Sequence, residues 1–265
     1  MYIIKIGGGE AINLPRIIAD LAELNEQIII VHGANALRDA TARQLGMEKK
    51  TLTSVSGYTS VYSDAPAIDI ILMTYAGLRN KRIVELCQQN GINAIGLSGI
   101  DGKIIQGERN RGIRVYEDGK KFIKRDFSGK PKTVNTSLLK LLLDNGYTPV
   151  LSIPILDENN IAINSENDDI VSRLHKELHA QKIFQFIEAP GFLENPADPE
   201  SLVSELSASE LEAREQQVDG RMKRKILALR KLFESGSTEV IIADGCVEHP
   251  VQAAMAGRGT IITES

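Results

Sequence analysis

Tryptophan is absent from these 265 residues, and aromatic side chains make up only 5%. So few rings argue against stacking platforms for nucleic-acid bases or sugars. Cysteine occurs twice, at Cys87 and Cys246. The two are far apart, form no cluster with histidine at zinc-ligand spacing, and give no disulfide framework. No apolar run approaches the roughly 20 residues that span a bilayer. The N-terminus lacks a basic stretch followed by an apolar core, so a cytoplasmic protein is expected. A net charge of −4 gives no support to nucleic-acid binding through the whole surface. The familiar phosphate motifs are missing too. There is no G-x-x-x-x-G-K-[ST], no G-x-G-x-x-G after a strand, and no H-R-D or D-F-G.

What is present is an ordinary globular composition, 42% hydrophobic and 25% charged. Apolar runs alternate with helical patterns. Tyr2 to Ile6, Ile28 to Val31, Ile92 to Leu97, Pro149 to Ile153, Lys182 to Ile187 and Val240 to Ala243 read as strands. Helical spacing fills the intervals. One long helix is expected from an Asp64 N-cap to Gly91, another starts near Asp168, and a third runs from about Arg221 to Phe233. Between Lys103 and Lys132 the pattern changes to short alternating stretches around Asp118-Gly119, a hairpin signal. The acidic run at 194–217 reads as a solvated loop and helix. Short strands separated by helices predict an α/β fold. Its mostly parallel, open central sheet is covered on both faces, a three-layer αβα sandwich.

The opening, MYIIKIGGGE, places Lys5 inside an apolar strand and follows it with Gly7, Gly8 and Gly9. A second strand ends in His32-Gly33-Ala34-Asn35. In open α/β sheets, ligands sit beyond the carboxyl ends of the strands. Glycine lets backbone N–H groups approach an anion closely, and Lys5 would reach the same oxygens. The other reading stays open: a tight turn, with Lys5 extending to water.

KIGGG at 5–9, VHGAN at 31–35, NGINAIGLSGIDG at 90–102, NSENDD at 164–169 and DGRMKRK at 219–225 follow one another along the chain. In that order they resemble the amino acid kinase family, the group that includes N-acetylglutamate kinase. TSVSGYTSVYSD at 53–64 and the stretch 107–130 are similar to the [LysW]-aminoadipate/[LysW]-glutamate kinase branch. The resemblance implies a single domain over 1–265 of the amino acid kinase/carbamate kinase-like fold. About 1–165 would form the acyl-substrate lobe and about 166–265 the nucleotide lobe. It implies ATP with Mg²⁺, a carboxylate acceptor, an acyl-phosphate product and a homodimer. In this branch the amino-acid substrate is tethered to a small acidic carrier protein. Free N-acetylglutamate as acceptor, and a homologue that binds nucleotide without turnover, remain open.

Carried over by position, the resemblance makes Lys5 and Lys225 the phosphoryl-contacting lysines and Asp168 the carboxylate that orients them. Gly7, Gly8 and Gly9 would bind phosphate. Gly33, Ala34, Asn35 and Asn164 would contact the acyl substrate. By residue type alone, Asp168 reads equally as a helix cap. Ten cations against four acids between Lys103 and Lys132 give that segment a local balance of +6. Such a patch, with Arg109, Arg111 and Arg114, would steer an acidic carrier; an ordinary charged hairpin is the alternative. The chain departs from the family pattern at Val61, where an arginine is usual, and at Ala34, Asn35, Glu166 and Glu188.

Overall fold

A computed structural model describes the backbone of residues 1–264 apart from 48–49, 56–58, 118–119, 196, 217–219, 235 and 237. Within regular elements the side chains of 59–60, 117 and 220–225 also lie outside the described set. The central sheet contains β1 (Tyr2–Ile6), β2 (Ile28–His32), β3 (Ala94–Ser98), β4 (Thr148–Ser152), β5 (Lys182–Ile187), β6 (Glu205–Ser207), β7 (Glu239–Asp244) and β8 (Thr260–Thr263). Their spatial order is β6-β8-β7-β5-β1-β2-β4-β3, and every pairing except β7–β8 is parallel. The helices are α1 (Leu14–Ala22), α2 (Asn35–Gln44), α3 (Ala65–Ile71), α4 (Asn80–Gln89), α5 (Thr136–Asp144), α6 (Asn167–Leu178), α7 (Ala208–Glu215), α8 (Gly220–Phe233) and α9 (Pro250–Met255).

Side-chain alternation along β1 sorts its residues between the two helical layers. Ile4 and Ile6 pack with Ile17, Ile18, Ile83 and Ala254 from α1, α4 and α9. Ile3 packs on the opposite face with Leu139, Ile170 and Leu174 from α5 and α6. Lys5 lies two residues from Ile3 and therefore shares the α6 face. The three-layer arrangement expected from the sequence is present. No described helix is long and apolar enough to cross a membrane.

Two expectations are corrected. The single helix expected from Asp64 to Gly91 is capped by Asp64, which accepts the Ala67 N–H. Between α3 and α4, however, Leu72–Arg79 is π-helical, and the Asn80 N–H donates back to Tyr75 O. Hydrogen bonding over five residues puts Tyr75 and Asn80 on one side of the helix. Both are needed there, since Tyr75 reaches Asn35 and Asn80 reaches His32. The acidic run at 194–217 is also more than a solvated loop and helix. Leu206 is buried, and β6 adds an edge strand alongside β8. The apolar spacing of Leu206 and Leu211 outweighs the surrounding charge.

A four-stranded sheet, Ala162–Ile163, Ile155–Leu156, Ile105–Arg109 and Gly129–Val134, stands beside the central one. The expected basic hairpin pairs Ile113–Glu117 with Lys120–Lys124. Its Asp118-Gly119 turn lies outside the described residues. A bridge between Ser54 and Val115 ties it to the hairpin of Thr51–Thr53 and Thr59–Val61.

His32, fully buried at the end of β2, is held neutral; desolvation pushes its pKa down to about 3. Its Nδ1 lies 3.3 Å from Gly33 O, and its Nε2 takes an Asn80 Nδ2–H at 3.2 Å. An unfolded histidine protonates near pH 6.5, so below that pH the unfolded chain gains a proton that the fold refuses. Stability is then lost by up to ~1.4 kcal/mol per pH unit as pH falls from about 6.5 toward 3. Urea midpoints should already decline between about pH 6.5 and 5, above most carboxylate titration. A flat midpoint across that window would show that His32 carries a proton in the native state.

Candidate active site

The carboxyl ends of β1 and β2 carry the two glycine loops, and the loops touch. A Cβ on Gly8 would lie 2.5 Å from Asn35 N and 2.6 Å from Ala34 N. The Ala36 N–H donates to Gly8 O, and the Gly33 N–H to Ile6 O. Gly9 lies against Glu188, just past β5; a Cβ there would meet the carboxylate at 2.0 Å. Glu188 Oε1 also accepts the Ala11 N–H at 2.7 Å. The three glycines thus leave room for protein: strand β5 at Gly7, the second loop at Gly8, and Glu188 at Gly9.

This refines the phosphate-binding expectation for Gly7. Its N–H continues the sheet ladder to Phe186 O at 2.9 Å, so it is not offered to a ligand. The N–H groups of Gly8, Gly9 and Asn35 make no hydrogen bond among the described residues. Asn35 opens α2, whose N-cap, Ala34, supplies no side-chain cap. The N-cap of α6, Glu166, makes no side-chain cap bond either. Unsatisfied helix N-termini favour anions.

Lys5 crosses from β1 to α6 and forms an ion pair with Asp168. The lysine side chain is 15% exposed and the aspartate 32%. Asp168 sits inside the first turn of α6, with Glu166 at the N-cap. The capping alternative for Asp168 is therefore corrected: its carboxylate is turned to Lys5 rather than to the helix's own N–H groups. The neighbouring Asn167 donates through Nδ2 to His32 O at 3.1 Å. Its buried Oδ1 has no partner among the described residues, nor do the buried hydroxyls of Ser152 and Ser165. Tyr75 donates to Asn35 Oδ1. Burial pushes its phenol up to about 12, so it remains a donor.

The other expected residues divide. Asn164 joins the wall between two segments: its Nδ2 donates to Ser63 Oγ at 3.0 Å, and its backbone pairs with Phe127 and Gly129. Arg109, expected to dock the carrier, is half-buried and engaged within the protein. Its Nε donates to Asp126 O at 2.7 Å and its guanidinium lies 4.0 Å from the Phe127 ring centroid. Those contacts hold the hairpin base together. Arg111 and Arg114 are exposed, with the Arg111 side chain at 95%. Lys225 falls in α8, but its side chain is outside the described residues. Tyr75, Asn167 and Arg38 escape the sequence reading. The proximity of Asn167 to Asn164 and Asp168 could have drawn attention to it; no local pattern singles out Tyr75.

Residues 1–244 match the family model described as "Amino acid kinase family". The chain belongs to the amino acid kinase family. A "[LysW]-aminoadipate kinase" from Thermus thermophilus is 38% identical, over 99% of this chain and all of that one. A protein of the same name from Deinococcus radiodurans is 37% identical, over 99% of this chain and 91% of its own. Among solved structures, N-acetylglutamate synthase from Neisseria gonorrhoeae, complexed with coenzyme A and N-acetyl-glutamate, superposes with a TM-score of 0.78 at 19% identity. That match covers all of this chain and 59% of the synthase chain, and it shows the fold. This amino acid kinase is a phosphotransferase acting on a carboxyl group, with ATP as co-substrate.

Proposed function

We propose that this amino acid kinase phosphorylates the side-chain carboxylate of carrier-protein-linked 2-aminoadipate, or of glutamate held the same way, in lysine or arginine biosynthesis. The observation that carries the proposal is the Lys5–Asp168 pair, set at the meeting point of the two strand-end loops. The relatives' names supply the acceptor class.

The reaction brings two anions together. A carboxylate oxygen bonds to the γ-phosphorus while the bond to the bridging oxygen breaks, and ADP leaves with that electron pair. Catalysis of this kind is mostly positioning and charge neutralisation. Lys5 neutralises the transferring group, Asp168 fixes the lysine, and the Gly8 and Gly9 N–H groups hold phosphoryl oxygens. The Asn35 N–H and the N-terminus of α2 receive the acceptor carboxylate, with Asn164 in its wall. Lys225 supplies the second cation. Residues 1–165 would hold the acyl group and 166–265 the nucleotide, within one domain. Among the described residues, no three His, Cys, Asp or Glu side chains gather as a metal-ligand set. That suits Mg²⁺ carried in on nucleotide phosphates, where it neutralises charge. The homodimer belongs to the same proposal and is read by sedimentation.

Incubation with Mg-ATP and the charged carrier should yield ADP and a hydroxamate-trappable product. Turnover only with free N-acetylglutamate moves the acceptor assignment. Nucleotide binding without turnover on either acceptor overturns the kinase reading.

Carrier docking is assigned to the exposed face of the basic hairpin. Arg114 and Ile123 are paired across the strands, as are Tyr116 and Lys121. Tyr116 and Ile123 are 55% and 64% exposed. Arg111→Glu with Arg114→Glu should lower kcat/KM for the carrier-linked acceptor roughly tenfold at low salt. The KM for ATP should hold, and the salt dependence should shrink. An unchanged kcat/KM places docking elsewhere.

A further inference from the structure

A cavity of about 200 Å³ lies between α2 and α3. Its walls are largely apolar, including Ala42, Met47, Val61 and Ile70, and two ion pairs, Arg38 with Asp39 and Lys50 with Asp64, also line it. The apolar walls fit an aliphatic chain, and an anion at its end needs a cation whose own carboxylate pairing is weak. The two cations differ. Lys50 is 64% exposed and bonds Asp64, which also caps α3. Arg38 is 14% exposed on its side chain. Its Nε and Nη2 converge on a single oxygen of the adjacent Asp39, at 2.8 and 2.7 Å. One carboxylate oxygen serving two guanidinium donors is a poorer match than a fork-to-fork pair.

Arg38 is also close to the loops. Its N–H donates to Ala34 O at 2.8 Å, one helical turn from the Ala34–Asn35 junction that Tyr75 grips. The guanidinium and the Glu166 carboxylate both act electrostatically on the Tyr75 hydroxyl. Arg38 therefore links the cavity to the point where the acceptor carboxylate is received.

We propose that Arg38 holds the second carboxylate of the acceptor, the α-carboxylate that is not phosphorylated, with the aliphatic chain crossing the apolar cavity. This rests on the function proposed above, because only an acceptor such as 2-aminoadipate or glutamate carries that second group. Arg38 then sets specificity: an acceptor without an α-carboxylate leaves the guanidinium with Asp39 alone. Val61 lines the same cavity, so an arginine introduced there could reach the same volume.

The test compares carrier-linked 2-aminoadipate with carrier-linked 5-aminopentanoate, which has the same chain and no α-carboxylate. The wild-type protein should favour the first roughly 10- to 100-fold in kcat/KM, mainly through KM. Arg38→Met should erase that preference by weakening only the first substrate. Arg38→Lys should fall between them, and Arg38→Met combined with Val61→Arg should recover part of it. Arg38→Met that keeps the preference, or slows both substrates alike, overturns the assignment; Arg38→Lys, whose charge keeps the Asp39 pair, guards against misfolding. Calorimetry with N-acetyl-L-2-aminoadipate and N-acetyl-5-aminopentanoate reads the cavity without turnover. Arg38-dependent discrimination there, with no carrier-linked turnover, retains Arg38 and removes the function. Equal wild-type binding of the two, or no binding of either, overturns the role of Arg38 even if turnover is intact.

Discussion

Lys5→Met is expected to lower kcat by roughly 10³-fold or more, equivalent to ~4 kcal/mol of transition-state stabilisation. Methionine keeps most of the stem length and packs like its apolar neighbours, so the change removes the charge and little else. The ammonium is the described cation that joins the strand-end loops to α6. Removing a single preorganised donor from a developing oxyanion costs about 10²–10³ in rate, and a full positive charge beside a transferring phosphoryl group should lie at or above that range. Stability should change little. Asp168 is about one-third exposed, so water can solvate it once the lysine is gone, and partly exposed pairs contribute about 1 kcal/mol or less. A thermal midpoint moved by more than ~5 °C would mean that the fold, not the chemistry, had been struck. Asp168→Asn should resemble Lys5→Met in kcat and leave the KM for ATP nearly unchanged, because asparagine cannot fix the ammonium. A Lys5→Met enzyme within tenfold of wild-type kcat would sink the assignment of the phosphoryl site.

The sheet was legible because its strands are short, apolar and separated by helical periodicity. Lys182–Ile187 is a strand with the bounds expected from residue pattern alone. Caps were legible where a short polar side chain precedes an apolar run, as at Asp64. The π-helical stretch was not, because the requirement comes from distant partners: Tyr75 must meet Asn35, and Asn80 must meet His32. Helical spacing carries no record of such targets. For the same reason residue type alone left Asp168 open between a cap and a partner for lysine. Its partner is 163 residues away, and only the parallel pairing of β1 and the packing of α6 reveal the contact. The ring contact of Arg109 was not legible either, because a count of charges cannot separate a guanidinium stacked on Phe127 from one directed to solvent. The cavity beside Arg38 needs α2, α3 and the 59–61 strand together, so none of its segments announces it.

Gly8→Ala should be nearly as damaging as the loss of Lys5, by a different route. The added Cβ would stand 2.5 Å from Asn35 N, 2.6 Å from Ala34 N and 2.8 Å from Gly33 C. All three are backbone atoms, with no flexible side-chain end to swing aside. Gly8 is not among the glycines with positive φ, so the penalty is steric rather than conformational. Restoring ordinary contact requires the two loops to separate by nearly 1 Å. A displacement of that size at a reacting centre costs about 10²-fold in rate, and the overpacking should cost ~1–3 kcal/mol of stability. Gly7→Ala supplies the comparison. Its Cβ would meet Phe186 O at 3.0 Å and the flexible end of Ile12 at 3.4 Å, so less has to move and more activity should survive. The contrast separates loop contact from a general demand for glycine. If Gly8→Ala retains full kcat/KM, or if Gly7→Ala is the worse of the two, then close approach of the loops does not set the geometry for transfer, and the Gly8, Gly9 and Asn35 N–H groups lose their assigned part in it.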